Sequence, residues 1–377
     1  MRTRWLPLVV SFALLSSCTS TKEPSASAWS APQWIAPALQ WNAPASVTSR
    51  DQIAFVWTGF DREHVHQDAR LANTNTLRPP VILPLPPTHP MDQRLVPGAD
   101  GSFHLFWLDA GPNGEGNHLF SALLTPELQI ERGPVDLSNA PTYQFAVTDD
   151  GRGGAIAVWS QGQPAEPDLW AVEIDATGLP RQPANIASNS PQPALTRTPI
   201  GTVQVFQESE GRLWIATWEG SNAPVDWRAL TATVGRRAGD RLDSLWAAPC
   251  GRYICVGWNI TRQDDTAESW LASGAANASS WNAPHRVDGV TWLTPETGAD
   301  FDPDSLMAAA QIDGGLTLLS VREGNVIRQE IAIEGVSLSG SPAVTRLGDA
   351  LVLSWAEVGT DYANLWMSQK NIPFGGD

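Results

Sequence analysis

Residues 157–172 read AVWSQGQPAEPDLWAV. Two short apolar runs, one ending in Trp159 and one holding Trp170, flank a polar stretch of Gly, Gln, Pro, Glu and Asp. This is the pattern of two strands joined by a hairpin loop. It returns along the chain. Apolar runs close on an aromatic in IAFVWT (Trp57), HLFWLD (Trp107), IAVWSQ (Trp159), VQVFQE (Phe206), ICVGWN (Trp258) and LVLSWAE (Trp355), and LMAAAQ (Ala310) fits the series without its aromatic. The steps are 50, 52, 47, 52, 52 and 45 residues. A second series follows a little later in each unit, at Phe120, Trp170, Trp214, Trp270, Thr317 and Trp366. In the first unit, DARLAN stands there without an aromatic. A looser third series, AWSAP, VDWRAL and SWNAP, ends some of the units.

Units of about 50 residues, made of short β-branched and aromatic runs between turn residues, are the mark of repeated four-stranded sheets. The 30 prolines and 31 glycines are spread along the chain, as frequent turns require. No long helical period appears. The expected fold is an all-β, seven-bladed β-propeller of four-stranded blades, with six or eight blades as alternatives. A solenoid or a pair of β-sandwiches is the competing architecture. The last unit lacks a fourth strand, while AWSAPQWI near the N-terminus matches SWNAPHRV of the fifth. An N-terminal strand near 29–35 is therefore expected to complete the seventh blade and remove two open edges.

This explains why eighteen tryptophans accompany only three tyrosines. A large flat ring at an equivalent place in each unit fills the wedge between neighbouring sheets. Trp34, Trp41, Trp218, Trp246 and Trp292 fall outside the series. Trp41, Trp246 and Trp292 lie on or beside first strands, which line a propeller's channel, and are the candidates for stacking on a ligand.

The start of the chain carries an address. Arg2 and Arg4 precede the apolar run WLPLVVSFALL, which is too short to span a bilayer. LSSC then ends at Cys18 and a polar stretch follows. This resembles the bacterial lipobox, in which the Cys is lipidated and becomes the new N-terminus. The resemblance implies a signal peptide at 1–17, a tether at 18–27 and a propeller domain at 28–377. It also implies palmitate-type acylation of Cys18 and a bacterial cell-envelope location, anchored to the membrane rather than spanning it. Thr19 after the Cys fits outer-membrane sorting if the cell has two membranes; otherwise the anchor holds the outer face of the cytoplasmic membrane.

Without Arg2 and Arg4 the 24 basic residues become 22 against 40 acidic ones, a net charge near −18. Nucleic acid, which needs a basic stripe, is excluded as a partner. The two remaining cysteines, Cys250 and Cys255 in APCGRYICVG, suit a disulfide in an oxidising compartment.

In a propeller the loops between second and third strands gather on one face. All seven contain Asp or Glu, among them Asp61, Asp109, Asp168 and Asp361. A ring of carboxylates steers or binds cations, Ca2+ among them, although ordinary hairpin loops are polar too. His64 and His66 form the one histidine pair with metal-ligand spacing. No G-x-S-x-G, H-E-x-x-H or P-loop occurs.

The segments SASAWSAP, SNAPVDW and NASSWNAP stand where propellers of the sialidase-like, BNR-repeat kind carry an Asp-box, and they keep its Trp. The chain resembles that family, which implies a β-propeller with a glycan-facing site. The Asp-x-Gly of the box is missing, and none of Tyr143, Tyr253 and Tyr362 has an obvious Glu partner, so the family's catalytic residues do not carry over. The expected function is a non-catalytic propeller that binds a glycan or an envelope protein, with Asp61, Asp109, Asp168, Asp361, Trp246 and Trp292 as contacts. The alternative is a sialidase-like glycoside hydrolase using carboxylates of the same face.

Acylation at Cys18 makes a simple prediction. Cys18→Ala should leave the precursor unprocessed or release the protein from membranes, read by fractionation and by mass spectrometry of the N-terminus. Unchanged fractionation with an unchanged N-terminal mass would contradict it.

Overall fold

The computed structural model describes residues 29–371 except 62, 74–75, 86–88, 112–113, 115, 219–225, 276, 278–279, 298–304 and 313. Cys18, the expected signal peptide and the tether lie outside the described residues. The described chain is almost wholly β. It contains a single 3-10 turn, Ala99–Gly101, and no helix long and apolar enough to cross a membrane.

The strands fall into antiparallel groups of four, numbered here in chain order: group 1 at 45–82, group 2 at 91–136, group 3 at 142–187, group 4 at 192–233, group 5 at 241–286, group 6 at 290–333 and group 7 at 343–371. Groups 1 to 5 are separate sheets. Groups 6 and 7 join into one eight-stranded sheet through a two-residue parallel pairing, Glu296 with Val344 and Thr297 with Thr345. Group 7 has only three strands of its own. Its fourth is Gln33–Ala38, which pairs antiparallel with Ala363–Asn371. Ser30 extends the seam: its amide donates to Gln369 O at 2.8 Å. The chain is thus a β-propeller whose first strand closes its last sheet.

Each group supplies a second strand that is apolar on both faces, because it is covered by a neighbour on each side. In Ala155–Gln163, residues 155, 157 and 159 pack toward group 2, and residues 156 and 158 toward group 4. This is why the motif reads as a continuous apolar run rather than an alternation. The series tryptophans sit on the face toward the preceding group. Trp57, Trp107, Trp159, Trp258 and Trp355 are each 2 % exposed or less. The third strand sets its own aromatic directly opposite: Phe120 against Trp107, Trp170 against Trp159, Trp270 against Trp258, Trp366 against Trp355. Trp29, Trp227 and Trp281, each just ahead of a fourth strand, pack into wedges of the same kind. Fully burying one large apolar side chain is worth about 1.5–3 kcal/mol, and each wedge buries several.

Group 4 departs from the expected alignment. Phe206 faces group 5, where it meets Trp281 edge-on at 5.8 Å between centroids. The residue on the face toward group 3 is Gln207, which pairs with Trp214. A one-residue offset reverses the face in a strand, so the aromatic that looked equivalent in VQVFQE serves the opposite wedge.

Cys250 and Cys255 form a disulfide, with Cα atoms 5.7 Å apart, across the tight turn between the first two strands of group 5. Near the axis, first strands from three groups meet through hydroxyls. Ser46 Oγ lies 2.6 Å from Thr345 Oγ1, and Thr297 Oγ1 lies 2.9 Å from the same atom. Beside them the buried Glu296 carboxylate accepts from Arg346 Nε at 2.7 Å.

The seam is testable through Ile35, which is 1 % exposed in the cluster between groups 7 and 1. Ile35→Ala should cost about 2–5 kcal/mol, lowering the melting temperature of the whole protein by roughly 3–7 °C in one transition. An unchanged melting temperature would mean that the N-terminal strand is a dispensable tail.

Candidate functional site

The described acids of the loops between second and third strands fall into different environments. Asp61 Oδ1 accepts the backbone N–H groups of Glu63 and His64, both at 2.8 Å. Those two amides hold its carboxylate below the ordinary value. Asp264 closes its loop in the same way on Thr266, with its pKa also lowered. Glu208, 1 % exposed, accepts the Gly211 N–H at 2.7 Å. Asp109, 3 % exposed, accepts from Ala110 N at 2.7 Å and His89 N at 3.1 Å. Asp168 is half-buried opposite Gln161 in the ladder of group 3. Many of these acids are therefore the caps of their own turns.

Arg262 is bracketed by acids: it donates to Asp240 Oδ2 and to Glu268 Oε2, each at 2.5 Å. Burial pushes the Glu268 carboxyl up, but its bonds from Arg262 and from the Trp270 indole outweigh this and leave it lowered.

The two histidines part company. His64 is exposed, 3.9 Å from Asp61 Oδ1, whereas His66 Nε2 is tucked 3.3 Å from Asp68 Oδ1. Among the described residues no three His, Cys, Asp or Glu side chains come together as a metal site. Trp246 packs on the glycine surface of Gly257, in the wedge between groups 5 and 6, with its Nε1 buried and unpartnered. Trp292 is half-buried on the first strand of group 6 and belongs to none of the apolar clusters between groups.

What the structure does bring together is an aromatic surface at the seam. Phe60, at the end of the second strand of group 1, meets Tyr362, in the loop of group 7, at 5.4 Å between ring centroids. Asp61 follows one ring in sequence and Asp361 precedes the other, and both acids are exposed. The seam strand and the loop after it add two more open rings, Trp34 and Trp41, 50 % and 55 % exposed, and Leu39 and Val358 are also open to solvent. Hydrogen bonds hold this surface in place. Trp34 Nε1 donates to Asn364 Oδ1 at 3.4 Å, Leu39 N to Thr58 O at 3.0 Å and Ser339 Oγ to Trp41 O at 2.8 Å. Exposed aromatics clustered within one face, rimmed by polar groups, mark an interaction surface. Of the acids expected as contacts, Asp61 and Asp361 flank it, and Asp109 and Asp168 sit on other groups.

No family model and no curated protein sequence matches this chain. Solved structures do. An ulvan lyase from a new family of polysaccharide lyases is similar with a TM-score of 0.61 and 10 % identity, covering 88 % of this chain and 94 % of its own. A protein of unknown function from Dyadobacter fermentans gives a TM-score of 0.52 at 8 % identity, covering 90 % and 99 %. A fucose-recognising fungal lectin from Aleuria aurantia, a six-bladed β-propeller, gives 0.47 at 11 %, covering 80 % and 98 %. At these identities the likeness is one of fold.

Asp68 yields a pH test. It stands opposite Trp57, where other groups place an aromatic. Burial raises its carboxyl above the ordinary 3.8, with His66 pulling the other way. A carboxyl raised on folding contributes stability below 3.8 that is lost as the pH climbs through its higher folded value. Asp68→Asn should therefore raise the melting temperature at pH 7 relative to the parent, and less so at pH 3. Equal differences at both pH values would show that Asp68 ionises as freely in the folded protein as in the unfolded one.

Proposed function

We propose that this chain is a lipid-anchored propeller of seven blades in the bacterial envelope that binds a glycan at the seam surface without cleaving it. The observation that carries the binding is the Phe60–Tyr362 pair flanked in sequence by Asp61 and Asp361, with Trp34 and Trp41 of the same seam half open to solvent. A pyranose offers an apolar C–H face to an aromatic ring and hydroxyls to carboxylates, so this surface matches a sugar on both counts. The fold likeness to a polysaccharide lyase supports a carbohydrate ligand.

The blade count rests on contacts. The first strand of each group touches that of the next, and the first strand of group 7 touches that of group 1. The buried apolar residues likewise form one cluster for each neighbouring pair, the pair 7 and 1 included.

The non-catalytic part rests on where perturbed carboxyls lie. A retaining glycosidase sets two carboxyls about 5–5.5 Å apart, one of them raised. Among the described residues, burial raises the carboxyls of Asp68, inside the third strand of group 1, and Asp149, at the end of the first strand of group 3. They belong to different groups, and Asp149 is engaged by Arg197 Nε at 2.6 Å.

A glycan array with and without Ca2+, run alongside a glycosidase panel, tests the reading. The parent should bind a glycan without releasing sugar, and Trp41→Ala with Tyr362→Ala should weaken it about tenfold or more. Release of sugar by the purified protein would promote the hydrolase. Capture of an envelope protein but no glycan would replace the ligand class.

A further inference from the structure

One wedge of the ring is built unlike the others. Every other wedge receives at least one aromatic from the paired positions of its second and third strands: Trp57, Trp107 with Phe120, Trp159 with Trp170, Trp214, Trp258 with Trp270, and Trp355 with Trp366. Between groups 5 and 6 the pair is Ala310 and Thr317. Trp246 leans in from the first strand of group 5 and covers part of the gap, lying on Gly257, where even a Cβ would come within 2.1 Å of its ring. It does not fill the outer part. There a cavity of about 330 Å3 remains, between the short fourth strand of group 5 and the third and fourth strands of group 6.

The cavity has an apolar floor and a polar mouth. Val287, Val290 and Leu319 form the floor and are buried. His285, Arg286, Asp288, Asn325 and Gln329 stand around the opening, all exposed. Arg286 is steadied by two acids, 3.4 Å from Glu268 Oε1 and 3.5 Å from Asp288 Oδ1. Deeper in the same wedge, Thr317 Oγ1 and Trp246 Nε1 are buried without hydrogen-bond partners.

We propose that this wedge is a second binding site, separate from the seam, for one neutral sugar ring. The volume falls at the low end of the roughly 300–1,000 Å3 usual for small-molecule sites. The charge pattern selects against ions. An anion must compete with Glu268 and Asp288 for Arg286 on a protein of net charge −16. A cation finds Asp288 already paired. A polyhydroxy ring needs neither charge: its hydroxyls both donate and accept, matching a rim that holds donors in Arg286, His285 and the two amides and acceptors in Asp288 and the amide oxygens. Its C–H face settles on Val287 and Leu319. The site thus lies in the wedge that lacks the aromatic pair.

The test uses D-glucose, D-galactose, D-mannose and D-xylose singly, followed by ligand-detected NMR and calorimetry on the purified protein. At least one should bind saturably. Arg286→Ala and Gln329→Ala, both at surface positions, should each weaken it tenfold or more. Leu319→Trp, which rebuilds an aromatic in the wedge, should abolish it. Trp41→Ala should leave it unchanged, because Trp41 belongs to the seam. No saturable binding by any of the four sugars, or binding that survives both rim substitutions, would overturn the proposal. Binding lost with Trp41→Ala and kept with Arg286→Ala would also overturn it, and would assign the sugar to the seam.

Discussion

The antiparallel pairing of Gln33–Ala38 with Ala363–Asn371 is the contact on which the rest depends. Without it, group 7 would end in an unpaired strand, and the apolar face of group 1 would lose Ile35, Ala36 and Ala38 from its cluster. Open edges of that kind invite pairing with other chains. The same pairing brings residues from the two ends of the chain onto one surface. Trp34 and Trp41 come from one side of the seam, Tyr362 and Val358 from the other, and Phe60 from the neighbouring group. The candidate glycan surface is therefore a product of closure.

Between the groups, stability comes from repetition. In four wedges a buried indole facing the preceding sheet and a second aromatic opposite it pack densely without lengthening any strand. Truncating a buried Trp to Ala typically costs about 3–5 kcal/mol, a large share of the 5–15 kcal/mol that stabilises an ordinary domain. Against that background the Ala310–Thr317 pair is a local exception, and the disulfide and Trp246 pack into the same wedge.

Much of the fold was legible in the sequence because the repeat is carried by one residue type at one strand position. Trp57, Trp107, Trp159, Trp258 and Trp355 announce both the strand and its buried face. The unpaired final unit and the spare N-terminal AWSAPQWI together announce the seam. Group 4 misled because a period of two is unforgiving. Phe206 and Gln207 are adjacent, yet they face different neighbours. The site was far less legible. The loop acids stood out by number, but local turns claim several of them, as at Asp61, Glu208 and Asp264. Trp246 lay on a first strand as expected, yet a wedge lacking its aromatic pair took it up. Phe60, Trp34 and Tyr362 carried no motif, since their association depends on a contact between chain ends about 330 residues apart.

Native-state hydrogen exchange at the seam tests that contact most directly. The amides of Gln33–Ala38 that donate into the ladder with Ala363–Asn371 should exchange only with the global unfolding of the protein, at the same free energy as the ladder amides of Ala363–Asn371. Exchange of the N-terminal strand by fraying, insensitive to denaturant while the rest of group 7 stays protected, would contradict a ring closed by its own first strand.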